Sequence, residues 1–187
     1  MNISDFQLIY YNTSGATMKF NSPSFYLTLG CFLWIGCGTE PNIEIETTVS
    51  RFYSTYDGDF RTVDRTMIST RLATMIDQAI QKEQSEAQKV KESEFPNDKP
   101  ILIEGDIFTS FYEGSDATVM EEISVSEQVA EVKVLFENSA YNQSWSDRII
   151  LVWEDDRWKI ENVIYNGSQE TADLQSTLKN LIEYEGN

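Results

Sequence analysis

The chain contains no histidine, so any proton transfer near neutral pH has to come from carboxylates and phenols. Ser-His-Asp and Cys-His triads are excluded, as are His-ligated zinc, iron and haem sites. Asp147 is the first candidate base. In "SWSDRIILVWE", strand alternation puts it on the same face as Trp145 and Ile149, and burial among such neighbours raises a carboxyl pKa toward the range of a general base. Asp106 is the second. It lies in "ILIEGDIFTSFYEGSD", where Glu104, Tyr112, Glu113 and Asp116 mix carboxylates with aromatics and glycines. Each has a plainer reading. Asp147 can be a structural group pairing with Arg148, Lys159 or a loop amide, and the Asp106 segment can be a turn that lets Phe108 and Phe111 plug the end of the core. Its oxygen spacing does not match the twelve-residue calcium loop with its closing Glu, and no metal or cofactor is expected. Asp155 and Asp156 in "WEDDRW" read as a solvated hairpin turn between packed tryptophans.

Cys31 and Cys37 are the only cysteines. Both sit in the most apolar stretch, so neither can staple the rest of the chain by pairing with a cysteine there. From Phe25 to Cys37 the run holds 13 residues, about 20 Å as a helix and well short of the roughly 30 Å of a bilayer core. Reading from Met18, Lys19 is followed by the apolar run to Ile35 and then by Gly36, which is the order of a secretory signal. "LWIGC" resembles a bacterial lipoprotein signal, with Trp34 where Leu is usual. That resemblance implies that Cys37 is lipidated and becomes the first mature residue. Residues 1–17 are then an upstream extension from a misassigned start, 18–36 the signal peptide, 37–43 a tether, and 44–187 a single domain. It also implies a bacterial envelope protein held at the inner or outer membrane by lipid alone, facing the periplasm or exterior.

There are 31 acidic and 14 basic side chains, giving a formal charge of -17. Asp5 and Lys19 cancel before Cys37, so the excess belongs to the remainder. Nucleic acid and anionic head groups would be repelled. A basic protein partner, a cation or a neutral ligand fits better.

Ile45, Val49, Phe52, Tyr53 and Tyr56 recur at helical spacing and stop at Gly58. A second helix is expected from near Ser69, with Leu72, Met75, Ile76, Ala79, Ile80, Ala87 and Val90 on one side, ending at Phe95-Pro96. "DFRTVDRTMI" between them reads as a loop or short turn. From Ala117 the period becomes alternating, and "ATVMEEISV", "VAEVKVLFEN", "SWSDRIILVWE" and "RWKIENVIY" read as four strands in meander order. Trp153, Trp158 and Ile160 are expected to be largely buried. A last helix is expected from Ser168, with Leu174, Leu178, Leu181 and Ile182 in a stripe.

The pattern W-x-D-x-I-x-L-V-x-E-x-D-x-W-K-I-x-x-V-x-Y, Trp145 to Tyr165, resembles the closing hairpin of small bacterial lipoproteins in a domain-of-unknown-function family. That family belongs to, or lies close to, the nuclear-transport-factor-2-like (NTF2-like) superfamily, and the resemblance covers residues 43–167. It implies an α+β fold, with amino-terminal helices packed on a curved antiparallel sheet and the carboxyl-terminal helix added. It also implies a cavity between the helices and the sheet, open at one end. The ligand-binding candidates are then Tyr53, Tyr56, Asp106, Tyr112, Trp145 and Asp147, with the "EGDIFTSFYEG" segment as part of the rim. The leading reading is a non-enzymatic binding domain for a protein partner or small ligand. An NTF2-like enzyme using carboxylate and tyrosine acid-base chemistry, and an immunity-type protein neutralising a basic toxin, stay open beside it.

Overall fold

The structure, a computed structural model, describes residues 41–166 and 172–185. The expected upstream extension, signal peptide and lipidated Cys37 lie outside the described residues. Helix α1, Pro41–Thr55, forms on the period read from Ile45, Val49 and Phe52, all three of which are buried. It opens on Pro41, tolerated there because the first helical N–H has no intrahelical acceptor to lose. The helix therefore occupies residues 41–43, which the sequence reading gave to the tether.

Helix α2, Thr70–Glu92, is capped by Ser69, whose hydroxyl accepts from the Leu72 N–H at 2.9 Å. It buries Leu72, Ile76 and Ala79 and stops three residues before Phe95-Pro96 disfavours further helix. The α1–α2 connection is pinned to the sheet: the Ser69 N–H donates to the Ile160 carbonyl at 2.8 Å and the Ile160 N–H to the Met67 carbonyl at 3.0 Å.

Four strands follow, β1 (Ala117–Ser126), β2 (Val129–Asn138), β3 (Gln143–Glu154) and β4 (Arg157–Ile164). They form one antiparallel sheet in the order β1-β2-β3-β4. Asp155 and Asp156 both adopt positive φ, 54° and 59°, as a two-residue hairpin turn requires. Ala130, Val132, Val134 and Phe136 of β2 point inward and are fully buried, so the alternation read from the sequence is the alternation of burial. Register shifts at Met120/Glu122 and Ile150/Leu151 are bulges, which bend a sheet. Across the last hairpin Trp153 faces Trp158, edge to face at 5.5 Å. Trp158 and Ile160 are buried as expected, whereas Trp153 is only half-buried.

The last helix, α3, spans Leu174–Ile182 rather than starting at Ser168. Asp173 is the reason: its carboxylate accepts from the Ser176 N–H at 2.7 Å, an N-cap that fixes the start. Residues 167–171, Ser168 included, lie outside the described residues. Leu174, Leu178 and Leu181 are buried where α3 packs on α2 and β4. The architecture is α+β, with α1 and α2 on one antiparallel sheet and α3 appended. No described helix is long and apolar enough to cross a membrane.

Candidate functional site

The last turn of α1 presents Tyr53, and Tyr56 follows directly on its end, its N–H still donating to the Phe52 carbonyl at 2.9 Å; the chain then turns away through Asp57–Arg61. Opposite this wall runs the irregular segment 102–115, which joins α2 to the sheet. Between the two lies a cleft of about 820 Å³, within the range typical of small-ligand sites. Four of the six residues expected at a site, Tyr53, Tyr56, Asp106 and Tyr112, line it together. So do Glu104 and Glu113 from the expected rim segment. Asp57, Asp59 and Arg61 complete the facing wall and were not singled out from the sequence. The cluster of Gly58 with aspartates after an amphipathic helix was the available signal, and it marks a loop without saying what the loop faces.

The segment's shape is set by backbone contacts. The Asp106 N–H donates to the Tyr112 carbonyl at 3.0 Å, closing a tight loop, and Asp106 Oδ1 accepts from the Phe108 N–H at 2.7 Å. Two glycines are obligatory here. Gly105 has φ +76°, and a Cβ there would lie 2.5 Å from the Tyr112 ring. Gly114 has φ +73°, and a Cβ there would lie 3.0 Å from Asp106 Oδ2. Gly114 thus leaves room for the second carboxylate oxygen.

Burial pushes the Asp106 carboxyl up to about 6; the Phe108 N–H and the Tyr56 hydroxyl oppose the rise, and the nearby Asp147 charge adds to it. Burial, with the Asp106 charge second, also drives the Tyr56 phenol far upward, so it stays protonated. The Tyr56 hydroxyl faces Asp106 closely enough to act on it as a hydrogen-bond donor, in a contact too long or too bent to count as a well-formed hydrogen bond. Tyr53, by contrast, spends its hydroxyl on the Phe108 carbonyl at 2.8 Å.

Five carboxylates line the cleft against one guanidinium, Arg61, which pairs with one of the five, Asp59, and with Glu83 behind the wall. Its Nε and NH2 grip Glu83 of α2 at 2.8 and 2.7 Å, NH2 reaches the Ile103 carbonyl at 2.9 Å, and NH1 meets Asp59 at 2.8 Å. Glu83, buried, also accepts from the Ile103 N–H at 2.8 Å. One carboxylate of α2 therefore holds both walls at a fixed spacing.

Trp145 and Asp147 are elsewhere. The expected cavity between α1 and this part of the sheet is filled: Tyr53 packs edge-on to Phe136 at 5.0 Å, and Phe136 stacks on Trp145 at 5.7 Å. Asp147 is fully buried. Its Oδ2 accepts from the Ser110 N–H at 2.8 Å, the Trp145 Nε1–H at 3.1 Å and the Thr109 hydroxyl at 3.2 Å, and Oδ1 accepts from the Asn166 N–H at 3.2 Å. This is the loop-amide role, with Arg148 bound to Glu131 and Lys159 to Glu154 and Asp155 instead. Phe108 is a fully buried plug as expected, while Phe111 is half-buried against Trp145 and Tyr141. Among the described residues no group of three or more Asp, Glu or Cys side chains is placed to hold a metal ion.

No protein-family model and no curated protein matches the chain. Among solved structures it is similar to a protein from Campylobacter jejuni described as an NTF2-like transpeptidase, at 15% identity and a TM-score of 0.33, over 66% of this chain and 98% of that one. At that score the likeness carries no argument about fold or activity.

Proposed function

We propose that this chain is a binding domain of the bacterial cell envelope, tethered by lipid on Cys37, whose ligand site is the cleft between the end of α1 and segment 102–115. The observation that supports it most is the construction of the cleft itself. Its walls are clamped by Glu83 and Arg61, its inner loop requires two glycines, and Asp106 and Tyr56 meet in its lining. The test is a fragment screen by saturation-transfer NMR against the full chain in detergent, repeated with Ser115→Trp, which places an indole in the cleft. Fragments that bind the parent and are lost from the variant support the reading. Fragments retained by the variant, or none at all, overturn it.

One observation favours a second reading. A carboxyl poised at about 6 inside a cleft has the pKa of a general base suited to neutral pH, so an enzyme using Asp106 as base and Tyr56 as proton donor or orienting group is the alternative. A substrate turned over by the parent chain and left unchanged by Asp106→Asn would select it.

A further inference from the structure

We infer that the outer edge of β1 is a docking site for an extended basic segment of a partner protein, which joins the sheet as a fifth strand beside α1. This surface is separate from the cleft and does not rest on it. The fold treats the two edges of its sheet differently. At the β4 edge, Ile68 bridges to Ile160 and Asp173 to Ile164, and the Tyr165 N–H just beyond donates to the Ala172 carbonyl at 3.1 Å. At the β1 edge, among the described residues, no backbone other than that of β2 pairs with the strand. Its sequence, "ATVMEEISVS", carries neither Pro nor Lys, two common blocks on edge pairing. The bulge at Met120/Glu122 and its glutamates are what turns a strand away, and the glutamates turn away only acidic ones.

The inward face of the sheet is also unfinished there. Ala130, Val132 and Val134 of β2 are fully buried, and their partners across the ladder are Val125, Ile123 and Met120. Those three are not buried: Ile123 and Met120 are half-exposed and Val125 is 42% exposed. Helix α1 flanks β1 without closing over it. Between them runs a groove of about 220 Å³ that Met120 and Ile123 line with Glu46, Glu121 and Glu122. It continues past Met120 into a more open stretch of about 540 Å³ along the outer side of α1. A strand added at this edge pairs with the free N–H and C=O groups of β1 and lays every second side chain on Met120, Ile123 and Val125.

Charge decides the occupant. The groove beside the strand is lined by Glu46, Glu121 and Glu122 and by no basic residue; Arg51 belongs to the open stretch beyond. At the bulge two glutamates stand opposite the single Lys133, which binds Glu121 at 2.8 Å and leaves Glu122 without an ion pair among the described residues. A second copy is the wrong occupant. Full-length antiparallel pairing of two β1 strands sets the Glu121-Glu122 pair of one against that of the other, and like charges placed opposite are destabilising. The formal charge of -17 on each copy opposes the encounter as well. A strand that alternates apolar residues with Lys or Arg meets the reverse conditions, with apolar side chains facing the unfinished inward face and cations beside Glu122 and Glu46.

The experiment titrates the full chain in detergent, by calorimetry, with the end-blocked heptapeptide Lys-Val-Lys-Val-Lys-Val-Lys. Its controls are the same peptide with Glu in place of Lys, and the basic peptide N-methylated at its three central residues, which removes backbone donors on both of its edges. Hydrogen exchange locates the contact. The basic peptide is expected to bind and to add protection within residues 117–126, and both controls to bind at least tenfold more weakly. The double variant Glu46→Lys, Glu122→Lys is expected to lose the basic peptide at least tenfold. Both residues are exposed, so its melting temperature is expected not to fall, and lost binding is then not lost folding. The inference is overturned if either control binds as tightly, if the variant binds the basic peptide unchanged, or if the added protection falls on residues 102–115 instead. It is overturned equally if no peptide binds, as when a second copy or the chain's own residues 1–40 already hold the edge.

Discussion

Asp106 and Asp147 differ in what surrounds each carboxylate, and that difference separates a poised group from a structural one. Asp106 is half-buried, and desolvation outweighs the hydrogen bonds it receives from the Phe108 N–H and the Tyr56 hydroxyl, so its charged form is unfavourable in the fold and its carboxyl is raised from 3.8 to about 6. Between those two values the native state binds more protons than the unfolded chain, so this group's contribution to stability is full below about 4 and is lost as pH rises through about 6. Asp106→Asn removes the penalty and is expected to stabilise the protein at pH 7.5 by about 2–3 kcal/mol, with no gain at pH 3.5. Urea melts at the two pH values check this, and equal effects at both would refute it. Asp147 is the opposite case, since donors fill both its oxygens. Asp147→Asn sets an amide N–H against a donor, and hydrogen bonds to a charged group are worth about 1.5–3 kcal/mol. A loss of that size with ligand binding intact is the expected outcome, and an unchanged midpoint would show that the carboxylate is not holding the loop. Alternation in "SWSDRII" correctly puts Asp147 on the inward face, but a face is not a depth. Its burial behind Thr109 and Ser110 depends on a loop 37 residues away in sequence from Ser110 to Asp147, which no local pattern carries.

At the scale of elements, the regular structure was legible because each segment has one apolar stripe and one wet face. Ile45, Val49 and Phe52 mark α1, and the β2 alternation marks its inward side. What periodicity misses is where a cap overrides it. Asp173 starts α3 later than the stripe alone indicates, and Pro41 starts α1 earlier than the polar "GTEPN" indicates. The cleft was half legible for a related reason. Tyr53 and Tyr56 follow from the helix period and Asp106 and Tyr112 from the composition of their loop, whereas the approach of Asp57–Arg61 to that loop is set by Glu83, a buried carboxylate on what reads as the wet part of α2. Two substitutions probe the elements themselves. Ser69→Ala removes the α2 N-cap and is expected to cost about 1 kcal/mol. Trp158→Ala empties a buried site in the closing hairpin and is expected to cost about 3–5 kcal/mol. Chemical denaturation reads both. If the tryptophan change were the milder one, the hairpin would not be part of the core.

Over the whole molecule, the position of the anchor and the net charge have separate consequences. Three residues, Gly38 to Glu40, separate Cys37 from Pro41, so the two are at most about 14 Å apart. The cleft lies at the other end of α1, whose 15 residues span about 22 Å. If Cys37 carries lipid, as proposed, the anchor and the cleft lie at opposite ends of α1. Cys37→Ser is expected to abolish incorporation of labelled palmitate and leave an unprocessed precursor, and normal labelling in that variant would put the anchor elsewhere. The formal charge of -17 acts on folding. Like charges packed into one fold repel, and salt screens that repulsion. Raising sodium chloride from about 20 to about 500 mM shortens the Debye length from roughly 20 Å to roughly 4 Å, so the melting temperature is expected to rise. A salt series followed by thermal melting reads this. A melting temperature that stays level or falls as salt rises would show that the excess acid is spaced or paired well enough not to oppose folding.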